Sequence, residues 1–350
     1  MKAVTPTPRT LLLAGRYSQV FKEPLLACLG PGWVAESWCA EEGTEGLTRK
    51  AAVAEILIGS AEWARHAQGL GVEATFAASR RLGLTILPFS GVDWLRSEWV
   101  PANSVVCNVS NGSDPIAEYV MGAILNAEIP FREMDAELRQ HRWTWGGGSV
   151  VGRRHGELQG KTIGLVGYGR IGQRVAQLAT AFRMQTIAVS RSPGVSRELH
   201  WWRGMEALPT LLAQSDYVLL CVPGGAETLN LIDKDELSRM KSNAILINVA
   251  RGPVVNEASL FAALQRREIR GAIVDTWYTY PPPSSMVGAP GSLAFETLDN
   301  LVMTPHAAGW TDALETRRVE TVVRNVHSYL HREALTDVVI DKRSAASECL

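Results

Sequence analysis

The stretch Gly167-Tyr168-Gly169-Arg170-Ile171-Gly172 decides the fold because of the sequence on either side of it. Before it, Lys161–Val166 is an apolar run with the length of one buried parallel strand. After it, Arg174–Phe182 carries apolar residues at helical spacing. A strand, a glycine-rich turn and a helix in this order predict the first unit of a dinucleotide-binding fold, in which the helix N-terminus binds phosphates. The predicted cofactor contacts in the turn are Gly167, Gly169, Arg170, Ile171 and Gly172.

The sequence that follows the next strand bears on the choice of nucleotide. In this fold the second strand normally ends in an acidic residue that binds the adenosine ribose. Here the strand Gln185–Val189 continues into Ser190-Arg191-Ser192, which offers a cation and two hydroxyls to a 2′-phosphate. A charge-assisted hydrogen bond contributes about 1.5–3 kcal/mol. We therefore expect NADP(H) to be preferred, with NAD(H) as the alternative cofactor; the simpler interpretation is that Arg191 is a solvated loop residue.

Composition excludes several other classes of protein. The 350 residues are 46% hydrophobic and 20% charged, with a net charge of −1, which gives no electrostatic signature of nucleic-acid or membrane binding. No apolar run reaches the roughly 20 residues of a membrane span. The five cysteines lack a CxxC spacing, which disfavours both a disulfide framework and a metal site. These features predict a cytoplasmic protein without a metal.

Short apolar runs alternate with helical patterns along most of the chain. This alternation predicts an α/β protein with two Rossmann-like, doubly wound parallel-sheet domains. The candidate strands of the first domain are Leu11–Ala14, Ala54–Ile58, Leu84–Leu87 and Val105–Val109. Those of the second are Thr162–Val166, Thr186–Val189, Tyr217–Val222, Ala244–Val249, Ala272–Asp275 and Leu301–Thr304. Candidate helices include Glu62–Gly69, Val72–Leu82, Pro115–Asn126 and Glu315–Tyr329.

The segment 131–156, which joins the two series of strands, is aromatic and glycine-rich. It carries Trp143 and Trp145 before a run of three glycines, 146–148. Such a segment is poorly suited to a core, and exposed aromatic residues are commonly buried against another subunit. We predict that it is a dimerisation arm and that the protein forms a homodimer.

Two residues stand where catalysis would be expected. Arg251 follows the strand Ala244–Val249, and His306 follows the strand Leu301–Thr304. In an open α/β sheet, ligands bind beyond the carboxyl ends of the strands. A guanidinium can bind a carboxylate and polarise an adjacent carbonyl, and an imidazole can transfer a proton near neutral pH. Alone, each residue has a simpler interpretation, as a solvated cation or a structural histidine.

Several separated motifs together give the chain a family resemblance. They are Phe89–Asp93, Ile116–Tyr119, Gly160–Gly172, Val222-Pro223, Glu227-Thr228, Ile247–Val255, Gly271–Asp275 and Met303–His306. In this order they resemble the D-isomer-specific 2-hydroxyacid dehydrogenase family over nearly the full length of the chain, with the NADP-type glyoxylate/hydroxypyruvate reductases as the nearest type. The resemblance implies an oxidoreductase that transfers a hydride between NADP(H) and a 2-keto or 2-hydroxy acid.

The resemblance also implies a role for individual residues. Arg251 would hold the substrate carboxylate and carbonyl, and His306 would exchange the hydroxyl proton. Backbone N–H groups of Ser90 and Gly91 would complete carboxylate binding. The cofactor contacts that it adds are Val222, Pro223, Thr228, Val249 and, on the nicotinamide carboxamide, Asp275. The substrate domain would be discontinuous (1–114 and 307–350), and the dinucleotide-binding domain would be 115–306, including the arm.

One position departs from the family pattern. Relatives normally have a glutamate five residues after the aspartate that corresponds to Asp275, and here Tyr280 occupies that position. A phenol can orient His306 by a hydrogen bond but does not stabilise the imidazolium as a carboxylate does. We therefore expect the pKa of His306 to be lower than in relatives, with carbonyl reduction favoured at acidic pH. Alternatives are a formate-dehydrogenase-like hydride transfer and a nicotinamide-sensing protein with vestigial activity.

Trp310 follows His306 by four residues. It could form the floor or lid of the substrate pocket and so select the side chain of the substrate. The alternative interpretation is that its ring packs at a hinge. The sequence does not decide between them.

Overall fold

The computed structural model describes residues 8–66, 70–146, 151–282 and 285–343. The chain divides into two compact units. One combines the residues up to Asn111 with those from Thr311 onward, and the other is Gly112–Trp310. The first unit contains a six-stranded sheet and the second a seven-stranded sheet, each covered by helices. Two α/β units built on largely parallel sheets confirm the predicted fold class.

The elements follow one another in regular alternation. The strands are β1 (Arg9–Ala14), β2 (Trp33–Trp38), β3 (Ala54–Gly59), β4 (Leu84–Leu87), β5 (Val105–Asn108), β6 (Thr162–Val166), β7 (Gln185–Val189), β8 (Trp201–Arg203), β9 (Tyr217–Leu220), β10 (Ile245–Asn248), β11 (Gly271–Val274), β12 (Leu301–Met303) and β13 (Val338–Asp341). The α-helices are α1 (Lys22–Leu29), α2 (Gly43–Ala51), α3 (Ala61–Arg65), α4 (Leu70–Ala78), α5 (Ser113–Glu128), α6 (Phe131–Leu138), α7 (Arg170–Ala181), α8 (Leu208–Gln214), α9 (Lys234–Arg239), α10 (Glu257–Gln265) and α11 (Asp312–Leu330).

The six-stranded sheet has the order β13-β5-β4-β3-β1-β2, with β13 antiparallel to β5 and the other pairs parallel. Its core follows the two-residue period of a strand. Leu11 and Leu13 of β1 face a layer that includes Val322 and Val326 of α11. The intervening Leu12 faces the opposite layer. The late helix α11 therefore packs on a sheet that is built mainly from the beginning of the chain.

The seven-stranded sheet has the order β12-β11-β10-β9-β6-β7-β8, and every neighbouring pair is parallel. All five residues of β6 are buried, as expected for a parallel strand covered on both faces. The strand order reverses on either side of β6, because β7 follows on one side and β9 on the other. In sheets of this type ligands bind at that reversal, beyond the carboxyl ends of the strands.

The differences from the predicted elements concern edges and connections. β2, β8 and β13 were not predicted; each lies at an edge of its sheet. The predicted arm begins as helix α6, and an isolated bridge then joins Trp145 to Arg153. Its residues 147–150 lie outside the described residues, as do residues 67–69 of the predicted helix Glu62–Gly69. In the described parts of the chain, no helix has the length and apolarity needed to cross a membrane.

Candidate active site

Two of the motif glycines are required by the way the turn after β6 is packed. Gly167 has φ of 100°, a conformation that L side chains rarely adopt, and a β-carbon there would lie 2.9 Å from the carbonyl oxygen of Cys221. A β-carbon at Gly172 would lie 2.7 Å from the carbonyl oxygen of Gly167. At Gly167 the turn therefore packs against the end of β9, and at Gly172 the start of α7 packs against the turn, as predicted for a strand–turn–helix unit.

Gly169 differs because a β-carbon there would meet no heavy atom within 4 Å. It is the N-cap of α7, makes no side-chain cap hydrogen bond, and the first turn of the helix contains no acidic residue. The first N–H groups of a helix lack intrahelical partners and carry a partial positive charge. Open space in front of such a helix end fits a pyrophosphate, so the turn has the properties needed to hold a dinucleotide.

Cys221, which the sequence did not single out, supports the turn from below. Its Sγ donates to the carbonyl oxygen of Gly167 at 3.1 Å. Burial raises the pKa of the Cys221 thiol to about 12, so the side chain stays protonated and unreactive at neutral pH. It therefore stabilises the glycine turn as a thiol.

The loop after β7 brings together a cation and a carboxylate. A nitrogen of the Arg191 guanidinium donates to Glu227 Oε2 at 2.8 Å, and the two side chains are 73% and 75% exposed. Ser190 Oγ accepts from the indole N–H of Trp202 at 2.7 Å and donates to the carbonyl oxygen of Ser192 at 3.1 Å. Ser190 thus shapes the loop, while the Arg191 guanidinium stands at its surface beside Glu227.

Trp202 joins this loop to the glycine turn. Its ring lies 4.7 Å from that of Tyr168, and the Tyr168 hydroxyl is 2.8 Å from Ser196 Oγ. The aromatic residue of the Gly-Tyr-Gly motif therefore forms a wall with Trp202 beside the predicted nucleotide site. This pairing was not predicted, because the two residues are far apart along the chain.

The loop after β9 is held by hydrogen bonds between its own residues. Thr228 Oγ1 donates to the carbonyl oxygen of Pro223 at 2.8 Å and to that of Gly225 at 3.3 Å. Val222 is half-buried at the end of the strand. Val249, which follows the neighbouring strand β10, is buried in the core. The contacts predicted between these residues and a cofactor remain predictions.

The loop after β10 presents Arg251. The buried amide of Asn248 braces this loop: its Oδ1 accepts from Ala250 N at 3.0 Å, and its Nδ2 donates to the carbonyl oxygen of Arg251 at 2.9 Å. Gly252 is packed tightly, since a β-carbon there would lie 2.4 Å from the backbone of Trp277. The half-buried Arg251 is therefore held on a fixed loop that touches the segment after β11.

The loop that carries His306 is held by a buried carboxylate. Asp275 accepts from Thr304 Oγ1 at 2.6 Å and Ala307 N at 2.8 Å with one oxygen, and from Ala308 N at 3.0 Å with the other. His306 itself has φ of 59°, an uncommon value for a residue with a side chain, and its side chain is exposed. Backbone strain of this kind often accompanies functional residues. Asp275 thus positions His306; its predicted contact with a carboxamide remains a prediction.

Tyr280 contacts the imidazole directly. Its hydroxyl oxygen lies 2.8 Å from His306 Nδ1 and accepts from the backbone N–H of Trp277 at 3.1 Å. The indole N–H of Trp277 in turn donates to the carbonyl oxygen of Thr304 at 2.8 Å. The segments after β11 and β12 are therefore joined by two hydrogen bonds, one between Tyr280 and His306 and one from Trp277 to Thr304.

Three predicted substrate residues occupy different surroundings. In the first unit, Ser90 Oγ donates to the carbonyl oxygen of Val109 at 3.2 Å, and the carbonyl oxygen of Ser90 accepts from Asn108 Nδ2 at 2.8 Å, so the turn at Ser90 and Gly91 is anchored on β5. In the second unit, Trp310 is 59% exposed. Among the described residues, no group of three or more His, Cys, Asp or Glu side chains could hold a metal ion.

A strand-order reversal with a phosphate-binding turn defines a dinucleotide-binding α/β protein. The segment 121–308, more than half of the chain, matches the family model described as D-isomer specific 2-hydroxyacid dehydrogenase, NAD binding domain. The chain belongs to this family.

Individual relatives cover the chain to different extents. D-3-phosphoglycerate dehydrogenase of Methanocaldococcus jannaschii is 30% identical over 239 residues, which are 67% of this chain and 43% of that protein. Glyoxylate reductase of Pyrococcus furiosus is 37% identical over 177 residues, 51% of this chain and 50% of that one. The matches thus span half or less of these two relatives. The D-isomer specific 2-hydroxyacid dehydrogenase of Xanthobacter autotrophicus Py2, in complex with NADPH and MES, is 26% identical with a TM-score of 0.73 and covers 96% of this chain and 99% of that chain.

Proposed function

We propose that the protein transfers a hydride between NADP(H) and a 2-keto or 2-hydroxy acid, as a D-2-hydroxyacid dehydrogenase acting as a 2-ketoacid reductase. The proposal rests mainly on the way in which the loop that carries His306 is held. A buried carboxylate fixes it in an uncommon backbone conformation, and Tyr280 binds one nitrogen of the imidazole. An imidazole held in this way can exchange a proton with a substrate hydroxyl.

The cofactor would be held by the turn after β6. The open space at Gly169 and the uncapped start of α7 would take the pyrophosphate. When bound, the reduced nicotinamide supplies a hydride to the substrate carbonyl carbon. Within the chain, we assign dinucleotide binding to 115–306 and substrate binding to 1–114 with 307–350.

The preference for NADP(H) over NAD(H) is part of the proposal. Its support is Arg191, whose guanidinium lies at the surface of the loop where the adenosine ribose binds in this fold. The Xanthobacter relative was crystallised with NADPH. Glu227 disfavours NADP(H) binding, because its carboxylate already binds the Arg191 guanidinium. A 2′-phosphate would have to displace this carboxylate.

The substrate would be recognised as a small anion. In the second unit, Arg251 would bind its carboxylate and carbonyl oxygens and the exposed Trp310 would contact its side chain. In the first unit, the backbone N–H groups of Ser90 and Gly91 remain predicted donors to a carboxylate. Glyoxylate, hydroxypyruvate and bulkier 2-ketoacids all fit this recognition. The glyoxylate reductase of P. furiosus among the relatives makes glyoxylate the first substrate to test.

The test is oxidation of NADPH and, in parallel, NADH with a panel of 2-ketoacids, with formate and the oxidised cofactors as the reverse control. We expect turnover of at least one ketoacid, with NADPH preferred. His306→Gln should lower kcat by about 10²–10⁴-fold with the Kd for NADPH unchanged. His331→Gln, on the exposed end of α11, is the matched control. Failure of every ketoacid, or full activity in His306→Gln, would contradict the proposal.

We also propose that the arm mediates a homodimer. Phe131, Leu138, Trp143 and Val151 are exposed large apolar side chains within 131–156. Trp145, in contrast, lies beneath the Arg153 guanidinium at 4.3 Å within the chain. Phe131→Glu with Trp143→Glu should convert a dimer to a monomer in analytical ultracentrifugation. A monomeric parent protein would contradict this part of the proposal.

The cytoplasmic location is a further part of the proposal. It rests on the cysteines. Those in the described residues, Cys28, Cys39, Cys107 and Cys221, are all free thiols, as expected in a reducing compartment.

A further inference from the structure

Thr304 is bonded to several parts of the loop that carries His306. Its carbonyl oxygen accepts from His306 N at 3.1 Å and from the indole N–H of Trp277 at 2.8 Å. Its hydroxyl lies between the carboxylate of Asp275, 2.6 Å away, and the hydroxyl of Tyr119, 2.7 Å away. Thr304 therefore holds the start of this loop through both its backbone and its side chain.

The direction of the bond between Tyr119 and Thr304 follows from the single hydrogen of a hydroxyl group. The Thr304 hydroxyl donates its hydrogen to Asp275, so towards Tyr119 it can only accept. The Tyr119 phenol is therefore the donor of the 2.7 Å bond. Burial raises the pKa of Tyr119, so the phenol keeps this hydrogen at neutral pH. Hydrogen bonds thus run from Tyr119 through Thr304 to Asp275, which also accepts from Ala307 and Ala308.

The helix that carries Tyr119 is packed against the proposed cofactor site. Tyr119 lies on α5, and α5 packs on α7, the helix that begins at the glycine turn. The buried contact between the two helices includes Val120 and Ile124 of α5 and Val175 of α7. α5 therefore connects the helix that would hold the pyrophosphate with the loop that carries His306.

We propose that Tyr119 is a positioning residue of the reductase, whose hydroxyl holds the His306 loop in place relative to the bound cofactor. This inference rests on the proposed function. Reduction requires the hydride and the proton to reach the two ends of the same carbonyl group, and a misplacement of about 1 Å can lower a rate by about a hundredfold. α7 would set the position of the cofactor, and the bond from Tyr119 to Thr304 fixes the loop to the helix packed on α7.

The surroundings of Tyr119 make its hydroxyl separable from its ring. The half-buried ring packs against the apolar cluster between α5 and α7. Tyr119→Phe keeps this packing and removes only the hydrogen bond to Thr304. On the other side of the same bond, Thr304→Ser keeps the hydroxyl and Thr304→Val removes it. The four combinations of these groups distinguish the bond from the packing.

The first experiment measures kcat and KM for a ketoacid, and Kd for NADPH, in the parent and the variants. In Tyr119→Phe, kcat should fall by about tenfold, because the loop that carries His306 is less precisely held. KM and Kd should stay within about twofold of the parent values, because the contacts proposed for substrate and cofactor are retained. Adding Tyr119→Phe to Thr304→Val should lower kcat no further, since both changes remove the same bond. Thr304→Ser should keep the activity of the parent.

Tyr217→Phe is the matched control. The Tyr217 hydroxyl donates to Glu128, at the other end of α5 and about 14 Å along the helix from Tyr119. Each variant removes one phenolic hydrogen bond of the same helix, but only Tyr119→Phe acts on the His306 loop. Tyr217→Phe should lower the free energy of unfolding and leave kcat unchanged. The same pattern in Tyr119→Phe would mean that its hydroxyl contributes to stability alone, which would contradict the proposal.

A second experiment does not depend on turnover. The N–H groups of Ala307 and Ala308, which bond to Asp275, should exchange with solvent about tenfold faster in ligand-free Tyr119→Phe than in the parent. In Tyr217→Phe they should exchange at the parent rate. Unchanged exchange or unchanged kcat in Tyr119→Phe would overturn the positioning role while leaving the reductase intact. Absence of ketoacid turnover in the parent would instead contradict the proposed function, and the exchange rates would still decide whether Tyr119 holds the loop.

Discussion

Gly169 and Gly172 are three residues apart in one turn, but a β-carbon at Gly169 would meet no heavy atom within 4 Å, whereas one at Gly172 would lie 2.7 Å from a carbonyl oxygen. Substitutions at the two positions therefore test cofactor binding and the stability of the fold separately. Gly169→Ala should raise the Kd for NADPH at least tenfold, because the methyl group enters the space proposed for the pyrophosphate. Its free energy of unfolding should change by at most about 1 kcal/mol. Fluorescence titration and urea unfolding measure the two quantities.

Gly172→Ala is the matched control for that prediction. Its methyl group meets backbone that cannot move aside easily, so the free energy of unfolding should fall by about 1–3 kcal/mol. If Gly169→Ala binds NADPH as tightly as the parent, the pyrophosphate does not lie against this turn.

The Arg191–Glu227 pair should control the choice of cofactor. Arg191→Ala should raise the Kd for NADPH by about ten- to a hundredfold and leave that for NADH unchanged. Glu227→Gln should lower the Kd for NADPH, because it removes the carboxylate that holds the guanidinium. Arg197→Ala, a highly exposed arginine in the same loop, is the control. Equal losses for both cofactors in Arg191→Ala would exclude a specific role with the 2′-phosphate.

Asp275 should be needed to position His306. In Asp275→Asn one acceptor oxygen is replaced by a donor that faces backbone N–H groups, so the free energy of unfolding should fall by about 1–3 kcal/mol and kcat should fall with it. Thr304→Val removes only one of the three donors to the carboxylate and should have a smaller effect on stability. Urea unfolding and steady-state kinetics provide the comparison. A stable Asp275→Asn variant with full kcat would show that the loop does not depend on this carboxylate.

The buried carboxylate of Glu128, which pairs with two partly exposed cations, should contribute to stability at low pH. Glu128 accepts from the Tyr217 hydroxyl at 2.5 Å and from the Arg270 guanidinium at 2.6 Å, and Lys161 Nζ lies 2.9 Å from its other oxygen. Burial acts to raise the pKa of Glu128, but the hydrogen bonds from Tyr217, Lys161 and Arg270 outweigh it and lower the pKa. Burial, with Glu128 next to its hydroxyl, raises the pKa of Tyr217, which therefore remains a donor.

The sign of the pH dependence follows from the lowered pKa. The stabilisation from Glu128 is fully present above the pKa of an unfolded glutamate, about 4.3, and is lost as the pH falls through its lower folded value. Glu128→Gln should lower the free energy of unfolding by about 1–3 kcal/mol at neutral pH, because it weakens the hydrogen bonds that the buried carboxylate accepts from Tyr217 and from the partly exposed Lys161 and Arg270. The loss of stability between neutral and acidic pH should be smaller in this variant. Asp299→Asn, which breaks an exposed ion pair with Arg267, should change little.

The buried strands of both sheets were predictable from the sequence, and of the four edge strands only β12 was. β6 was predicted with its observed bounds, because a short apolar run before a glycine-rich turn and a helix is typical of a parallel strand covered on both faces. β2 instead alternates half-buried and exposed positions and contains Glu36 and Ser37, and β13 is mostly exposed. Strands at an edge have one partner and one open side, so their composition resembles that of a loop.

Arg251 and His306 were predicted from their positions after candidate strands, and Tyr280 from its departure from the family pattern. The residues that support the candidate site were not predicted. Asn248 braces the Arg251 loop, whereas Trp202 and Glu227 contact the loop after β7, and all three act through loops whose shape the sequence does not reveal. Asp275 illustrates the difficulty: its position after a buried strand was evident, but its hydrogen bonds to Ala307 and Ala308 depend on how a distant loop folds back.

Placement of α11 and β13 in the same unit as β1 affects the order in which the chain can acquire its structure. β12, the last strand of the seven-stranded sheet, ends at Met303, so the ribosome makes that sheet completely before it makes α11. The six-stranded sheet lacks its antiparallel edge and the Val322 and Val326 side chains of its core until the ribosome has passed Asp341. The unit that contains β1 is therefore completed after the unit that contains β6, and its exposed apolar surface is what a chaperone would encounter on the nascent chain.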